Sequence, residues 1–316
     1  MHKYHPKYKI ATEILESWRD DILSGKEPTI YPVGAGELVR IEIGPGLVTL
    51  IGGAPGMGKT AFAMQILIDA LRLSPTIRAL VCNVEMPPSV LLDRQLARLS
   101  GVDLTTIRYR KLQAKHADRI DQALNTLEPL AERLCFTSSP FDLANVAAAA
   151  DDFHADILLL DYIQRIPPPG AQENRRGSVD ATMSYLREFA ETGLAVVVVS
   201  AVSRSKDKKG RSSYDGEGLN LASFRESSEL EFGADDAFIL TMNKKHDEGV
   251  ILRHLKSRYG QTENLHFTFD RRRQSFISES EENKGHSQTE KDKQLSTLAV
   301  LWDKTSPAPE SSAGEA

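Results

Sequence analysis

Apolar positions along the chain follow two spacings. Over residues 10–24, Ile10, Ile14, Leu15, Trp18 and Ile22 recur at helical intervals and Gly25 supplies a stop, so the pattern predicts one amphipathic helix. A stiff connector, Glu27-Pro28-Thr29-Ile30-Tyr31-Pro32, follows. Thereafter short apolar runs alternate with longer amphipathic ones. Strands are predicted at residues 47–51, 78–84 and 134–137, and helices at 59–73, 89–99, 113–132 and 142–153. The runs 156–160 and 194–199 are apolar without alternation, as in central strands covered on both faces, and a helix is predicted between them at 178–191. A short helix near 221–230 and strands at 237–242, 249–255 and 265–269 complete the set. Such an order specifies an α/β fold with a mostly parallel central sheet flanked by helices.

Residues 203–220 are rich in Ser, Lys, Asp and Gly without periodicity and read as a mobile loop. The tail from residue 278 to 316 is polar and holds eight acids against four bases, so most of the formal net charge of −5 lies there. A segment of that composition buries too little surface to order itself. Within it residues 295–302 form an apolar island, either a short helix that docks on a partner or neighbouring subunit or a loosely packed terminal turn. The organisation is therefore a linker helix and connector at 1–34, one large domain at 35–277 and an acidic tail at 278–316. With the rest of the chain close to neutral, a globally basic nucleic-acid coat is excluded, whereas a local basic groove between subunits is not. Cys82 and Cys135 lie in strand-like apolar runs without metal-ligand spacing and read as reduced core residues. No secretory leader opens the sequence and no apolar run approaches the ~20 residues that span a bilayer, so a cytoplasmic protein with no membrane partner is expected.

The candidate chemistry centres on Gly53-Ala54-Pro55-Gly56-Met57-Gly58-Lys59-Thr60, which matches G-x-x-x-x-G-K-[ST] between a predicted strand and a predicted helix. Glycines 53, 56 and 58 let backbone N–H groups turn toward phosphate oxygens, and the helix start through Ala61 adds its positive end. Lys59 is then placed to bridge the β- and γ-phosphates of ATP, and the Thr60 hydroxyl to take a place on Mg2+. Asp161, ending the strand 156–160, is the carboxylate expected beside that ion. Glu85 lies just past the strand 78–84 and is the candidate base for an attacking water; an acid that merely caps the next helix is the plainer alternative.

Together these motifs resemble the C-terminal ATPase domain of the DnaB-type replicative helicases, ring-forming DNA helicases with a RecA-like P-loop core, over about residues 36–276. Gly56-Met57-Gly58-Lys59-Thr60-Ala61-Phe62-Ala63 is similar to the family's P-loop, and Val84-Glu85-Met86-Pro87 resembles the strand end that carries its catalytic glutamate. Leu160-Asp161-Tyr162-Ile163-Gln164 resembles its Asp-Tyr-Leu-Gln signature, Leu221-Ala222-Ser223-Phe224-Arg225-Glu226-Ser227 its loop for single-stranded DNA, and Lys256-Ser257-Arg258-Tyr259-Gly260 its Lys-x-Arg-x-Gly finger. The resemblance implies that Lys256 and Arg258 reach the γ-phosphate bound by the next protomer of a hexameric ring. It implies that Arg225, with Glu226, Ser227 and Ser228, holds the DNA backbone, and that Gln164 couples nucleotide state to the DNA loops. Read without it, Lys256 and Arg258 are ordinary strand residues sharing one face, Arg225 belongs to a solvated helix surface, and Gln164 is a surface amide.

Three departures qualify the resemblance. Ser200-Ala201 stands where the family carries Ser-Gln, and Ala201 offers no polar contact to phosphate. Ser228 stands where the DNA loop has glycine. In place of the family's N-terminal collar only the helix at 10–24 is read, in the position of the linker helix that docks on an adjacent subunit. The expected function is an ATP-dependent DNA helicase or translocase, 5′→3′ by resemblance, acting as a homo-oligomeric ring on single-stranded DNA with replication partner proteins. Ala201 keeps open an accessory ATPase that binds ATP and single-stranded DNA without unwinding, and a RecA/RadA-like recombination ATPase is a third reading.

Overall fold

The computed structural model describes residues 10–170, 175–202, 205–206, 212–213, 219–224, 229–243, 246 and 248–278. Helix α1 (Ala11–Ser24) comes first and ends at Gly25, whose left-handed φ of 68° suits glycine. The domain then runs β1 (Val48–Gly53), α2 (Lys59–Leu73), β2 (Ala79–Asn83), α3 (Pro88–Ser100), α4 (Leu104–Arg108), α5 (Ala117–Leu127) and β3 (Leu134–Phe136). It continues with α6 (Leu143–Phe153), β4 (Ile157–Asp161), α7 (Arg175–Glu191), β5 (Ala195–Ala201) and a two-residue pair, β6 (Ser205–Lys206) and β7 (Ser212–Ser213). Helix α8 (Glu229–Gly233) and strands β8 (Asp236–Met242), β9 (Gly249–Ser257), β10 (Leu265–Asp270) and β11 (Ser275–Ser278) close it.

Nine strands form one sheet in the order β11-β10-β9-β8-β1-β5-β4-β2-β3. The six from β3 to β8 are parallel, and β9 to β11 add an antiparallel meander. The parallel strands have cores on both faces. In β4, Ile157 and Leu159 face the layer of Phe62, Ile66 and Phe267, while Leu158 and Leu160 face that of Val179, Met183 and Leu186. That explains their unbroken apolar runs, and each fully buried side chain of this size stabilises the fold by about 1.5–3 kcal/mol. Because β1 lies between β5 and β8, the carboxyl ends of β1, β2, β4 and β5 open on one edge, where an open α/β sheet holds its ligands.

Several elements differ from the sequence reading. The charged stretch 113–132 is not one helix: α5 ends at Leu127 and a 3-10 turn, Glu128–Arg133, takes over. Pro129 accounts for the break, since it has no N–H for the helical ladder. The helix expected near 221–230 is instead a 3-10 turn, Leu221–Ser223, followed by an isolated bridge between Phe224 and Val202, with α8 starting at Glu229. Helix α4 was unforeseen because five residues show no period; it starts where the Asp103 carboxylate accepts from the Thr105 N–H at 2.9 Å. Strand β11 was also missed. Its edge is covered by Gln65 of α2, whose amide donates to the Phe276 carbonyl and accepts from the Phe276 N–H, both at 2.8 Å.

No residue of α1 is buried, and Trp18 and Ile22 are 59% and 62% exposed. Among the described residues no helix is long and apolar enough to cross a membrane. Cys82 is buried and Cys135 half-buried, both as free thiols. Most of the loop 203–220 and the island 295–302 lie outside the described residues.

Candidate nucleotide site

The loop Gly53–Thr60 joins β1 to α2 through two left-handed glycines, Gly56 at φ 78° and Gly58 at φ 87°. Gly58 is required twice over, because a methyl group there would lie 2.7 Å from the Phe269 ring and 2.9 Å from that of Phe276. Ala54, Met57 and Ala61 are buried and anchor the loop, leaving Pro55 and Gly56 exposed at its rim. Lys59 folds back on its own loop, donating to the carbonyls of Gly53 at 2.8 Å and Ala54 at 3.1 Å. Burial lowers its pKa, while the negative charges of Asp161 and Glu85 favour the ammonium.

Lys59, Thr60, Glu85 and Asp161 meet in one cleft of about 450 Å³. The Thr60 hydroxyl donates to Asp161 Oδ2 at 2.7 Å. Asn83, which the sequence reading passed over as a strand residue, donates from Nδ2 to the same oxygen at 2.7 Å. Its Oδ1 accepts from the N–H groups of Glu85 at 3.0 Å and Met86 at 2.8 Å, so one amide sets both carboxylate-bearing strand ends. Burial pushes the Asp161 carboxyl up, the Thr60 hydrogen bond opposes that, and Glu85 adds to it. Thr60 and Asp161 offer hard oxygen donors beside the phosphate loop, a set that fits Mg2+, which takes only one or two protein oxygens when phosphates supply others. Among the described residues there is no group of three or more His, Cys, Asp or Glu suited to a metal.

Four further residues line the cleft and carried no sequence signal: Arg94 from α3, and Phe269, Arg271 and Gln274 from the β10–β11 hairpin. Arg271 donates to the Gly56 carbonyl at 2.8 Å and stands 5.2 Å from the Phe269 ring centroid. Their positions depend on the meander folding back over the loop, which no local pattern announces.

The other predicted residues are placed as follows. Gln164 does not line the cleft. It stands one step behind, with Nε2 bonded to the Ser200 hydroxyl at 2.7 Å and Oε1 accepting from the Ala201 N–H at 3.2 Å, and Ala201 itself lines the cleft. Lys256 and Arg258 also lie away from their own chain's cleft. Lys256 Nζ donates to the Ala234 carbonyl at 2.7 Å, and Arg258 pairs with the buried Asp235 at 2.6 Å. Arg187 and the Val48 N–H also bind Asp235, so neither finger residue is a loose surface side chain. Arg225, Glu226, Ser227 and Ser228 lie outside the described residues. Phe224, just before them, packs on Gly52 of β1, where a methyl group would come within 2.5 Å of its ring.

Comparison with known proteins gives the family and the fold. Residues 43–278 match the family described as DnaB-like helicase C terminal domain. The chain is 27% identical over 233 residues to the replicative DNA helicase DnaB of Buchnera aphidicola subsp. Acyrthosiphon pisum, covering 70% of this chain and 50% of that protein. It is 26% identical over 198 residues to the replicative DNA helicase DnaB of Haemophilus influenzae, covering 60% and 41% respectively. The chain thus spans about half the length of the curated relatives it matches. Among solved structures, one described as an ATPase domain superposes with a TM-score of 0.74 at 19% identity, covering 86% of this chain and 99% of that one. A DnaB-like replicative helicase, described together with its interactions with primase, superposes with a TM-score of 0.72 at 19% identity, covering 87% and 68%. At that identity the two structures establish the fold alone, a RecA-like core.

Proposed function

Because the chain belongs to the DnaB-like helicase C-terminal domain family, we propose that it is the ATP-hydrolysing motor of a DNA helicase or translocase, working in the cytoplasm as a hexameric ring that moves 5′→3′ on single-stranded DNA. The observation that carries this reading is the single cleft in which Lys59, Thr60, Asp161 and Glu85 meet. Lys59 exchanges the carbonyls of Gly53 and Ala54 for the β- and γ-phosphates of ATP. Thr60 and Asp161 would hold Mg2+, which would supply positive charge to offset that of the phosphates. Glu85 takes a proton from a water whose oxygen bonds to the γ-phosphorus, as the bond from that phosphorus to the β,γ-bridging oxygen breaks and ADP leaves with its electrons.

Lys256 and Arg258 would act on the neighbouring protomer's nucleotide, since both stand apart from their own cleft, and positive charge delivered in trans makes hydrolysis depend on assembly. The exposed apolar side of α1, with Leu15, Trp18 and Ile22, would dock on that neighbour. Arg225 with Glu226, Ser227 and Ser228 would hold the DNA backbone, giving binding that is insensitive to sequence and weakened by salt. Replication proteins, including one of the primase kind named with the structural neighbour, are the partners of this reading.

A second reading, an accessory ATPase that binds ATP and single-stranded DNA without unwinding, is favoured by Ala201, which presents only a methyl group to the cleft. ATP hydrolysis with and without single-stranded DNA, together with strand displacement on a forked duplex, separates the two. Stimulated hydrolysis with unwinding is expected. Hydrolysis without unwinding selects the accessory ATPase, and turnover that survives Lys59→Ala removes both.

A further inference from the structure

Asp235 is fully buried, and nothing in the proposed chemistry uses it. It stands just before β8 at the amino edge of the sheet, between the foot of β1 and the end of β9. Its N–H donates to the Val48 carbonyl at 2.8 Å, its Oδ2 accepts from the Val48 N–H at 2.8 Å, and its carbonyl accepts from the Arg258 N–H at 3.0 Å. Two arginines meet its single negative charge, and they meet it differently. Arg187 of α7 hydrogen-bonds Oδ2 through Nη1 and donates from Nη2 to the Gly46 carbonyl at 3.2 Å. Arg258 Nη1 lies 2.6 Å from Oδ1, although that oxygen accepts no hydrogen bond. Among the described residues, the Arg258 side chain makes one hydrogen bond, from Nη2 to the Phe232 carbonyl at 3.5 Å, and it is 38% exposed.

A carboxylate taken out of water is costly unless a countercharge and hydrogen bonds meet it. Arg187 and the Val48 N–H already supply both, so the fold has no need of a second arginine here. Asp235 holds Arg258 by charge and leaves most of its donors unspent. Nor can Arg258 serve the cleft of its own chain. Five steps along β1, about 17 Å at the usual rise of a strand, separate Val48 from Gly53, where the phosphate loop begins.

We propose that Asp235 is the positioning residue of the finger: its buried charge steadies the Arg258 guanidinium and aims it at the nucleotide of the neighbouring protomer. The assignment rests on the reading of Arg258 given above. The planar fork of arginine suits the task, since one edge lies against Asp235 while the remaining N–H groups stay available to phosphate oxygens. Asp235 itself touches no nucleotide and acts through Arg258.

The test is ATP turnover by the purified full chain with Mg2+, read as kcat and KM, for Asp235→Asn, Arg258→Ala and the double variant. Asparagine keeps an acceptor for the Val48 N–H and removes the charge. Asp235→Asn is expected to lower kcat by about 10–100-fold and to move the KM for ATP by less than about threefold, because its own phosphate loop is intact. Added to Arg258→Ala, it is expected to cost less than about twofold of the residual turnover, read by single-turnover phosphate release, since the group it positions is gone. Mixed with Lys59→Ala, Asp235→Asn should regain turnover above that of either alone, which general damage to the fold would not allow. Losses that multiply in the double variant, or mixing that restores nothing, overturn the proposal. If Asp235→Asn fails to fold by circular dichroism, Asp235→Glu and Asp235→Ser are judged on the same quantities. Arg258→Ala separates the levels: if it keeps turnover, the finger reading fails and Asp235 with it. If it loses turnover while Asp235→Asn keeps the wild-type kcat, only the Asp235 assignment fails.

Discussion

The Thr60 hydroxyl donates to Oδ2 of Asp161 at 2.7 Å, tying the first turn of α2 to the end of a strand 101 residues away. The carboxylate it meets is only 4% exposed, and burial raises its pKa. A carboxyl raised in the folded state favours folding at low pH, and that contribution is lost as pH rises through the folded value. At neutral pH the ionised Asp161 is therefore held at a cost. Asp161→Asn should raise the melting temperature of the nucleotide-free protein while ATP turnover falls to background. Calorimetry and phosphate release read the two effects, and a lower melting temperature would refute this account of the charge.

Asn83 braces both carboxylate-bearing strand ends through one amide. Asn83→Leu keeps the branching of the side chain, in a bulkier form, but should release Asp161 and the turn of Glu85. Turnover should fall by about 10–100-fold, with a higher Mg2+ requirement, as for other groups that orient metal ligands. A Mg2+ titration of the initial rate checks this, and an unchanged rate and midpoint would show that Asn83 only fills space.

The division between what the sequence disclosed and what it hid follows from distance along the chain. The phosphate loop, Glu85 and Asp161 were legible because each sits at a strand end next to its own local signal. Asn83 was not, since its role lies in a hydrogen bond to a strand 78 residues on. Arg94 reads as one more polar residue of an amphipathic helix until the cleft wall is assembled. Phe269, Arg271 and Gln274 depend on the antiparallel register of β9 to β11, and the turn between β10 and β11 lacks the usual glycine or asparagine, using Gln274 at φ 55° instead. Pro129 was a local signal, overlooked within a strongly charged helical pattern.

Arg258 rests on Asp235 while lying away from its own cleft. If it works on a neighbour, Arg258→Ala should bind ATP normally yet lose turnover. Mixing Arg258→Ala with Lys59→Ala should then restore activity above that of either alone, because one supplies an intact loop and the other an intact finger. Mixing that restores nothing argues for a role within the chain.

Burial pushes the Cys82 thiol up to about 11 from 9.0. The unfolded thiol ionises first as pH rises, so stability should fall across that interval, by about 2–3 kcal/mol from this group. Urea unfolding at either end of the interval, compared with Cys82→Ala, measures the share; an identical pH slope in the variant would exclude Cys82 as its source. At neutral pH the thiol should resist alkylation until the protein unfolds.

The β10–β11 hairpin closes over a loop made far earlier in the sequence. Gln65 finds both its amide partners 211 residues downstream at Phe276, and Gly56 is gripped by Arg271. A chain still emerging from the ribosome therefore exposes its phosphate loop long before the wall behind it has been translated. The cleft is finished only when β11 is released, so a chain synthesised only as far as β9 lacks Phe269, Arg271 and Gln274 from the wall of its cleft.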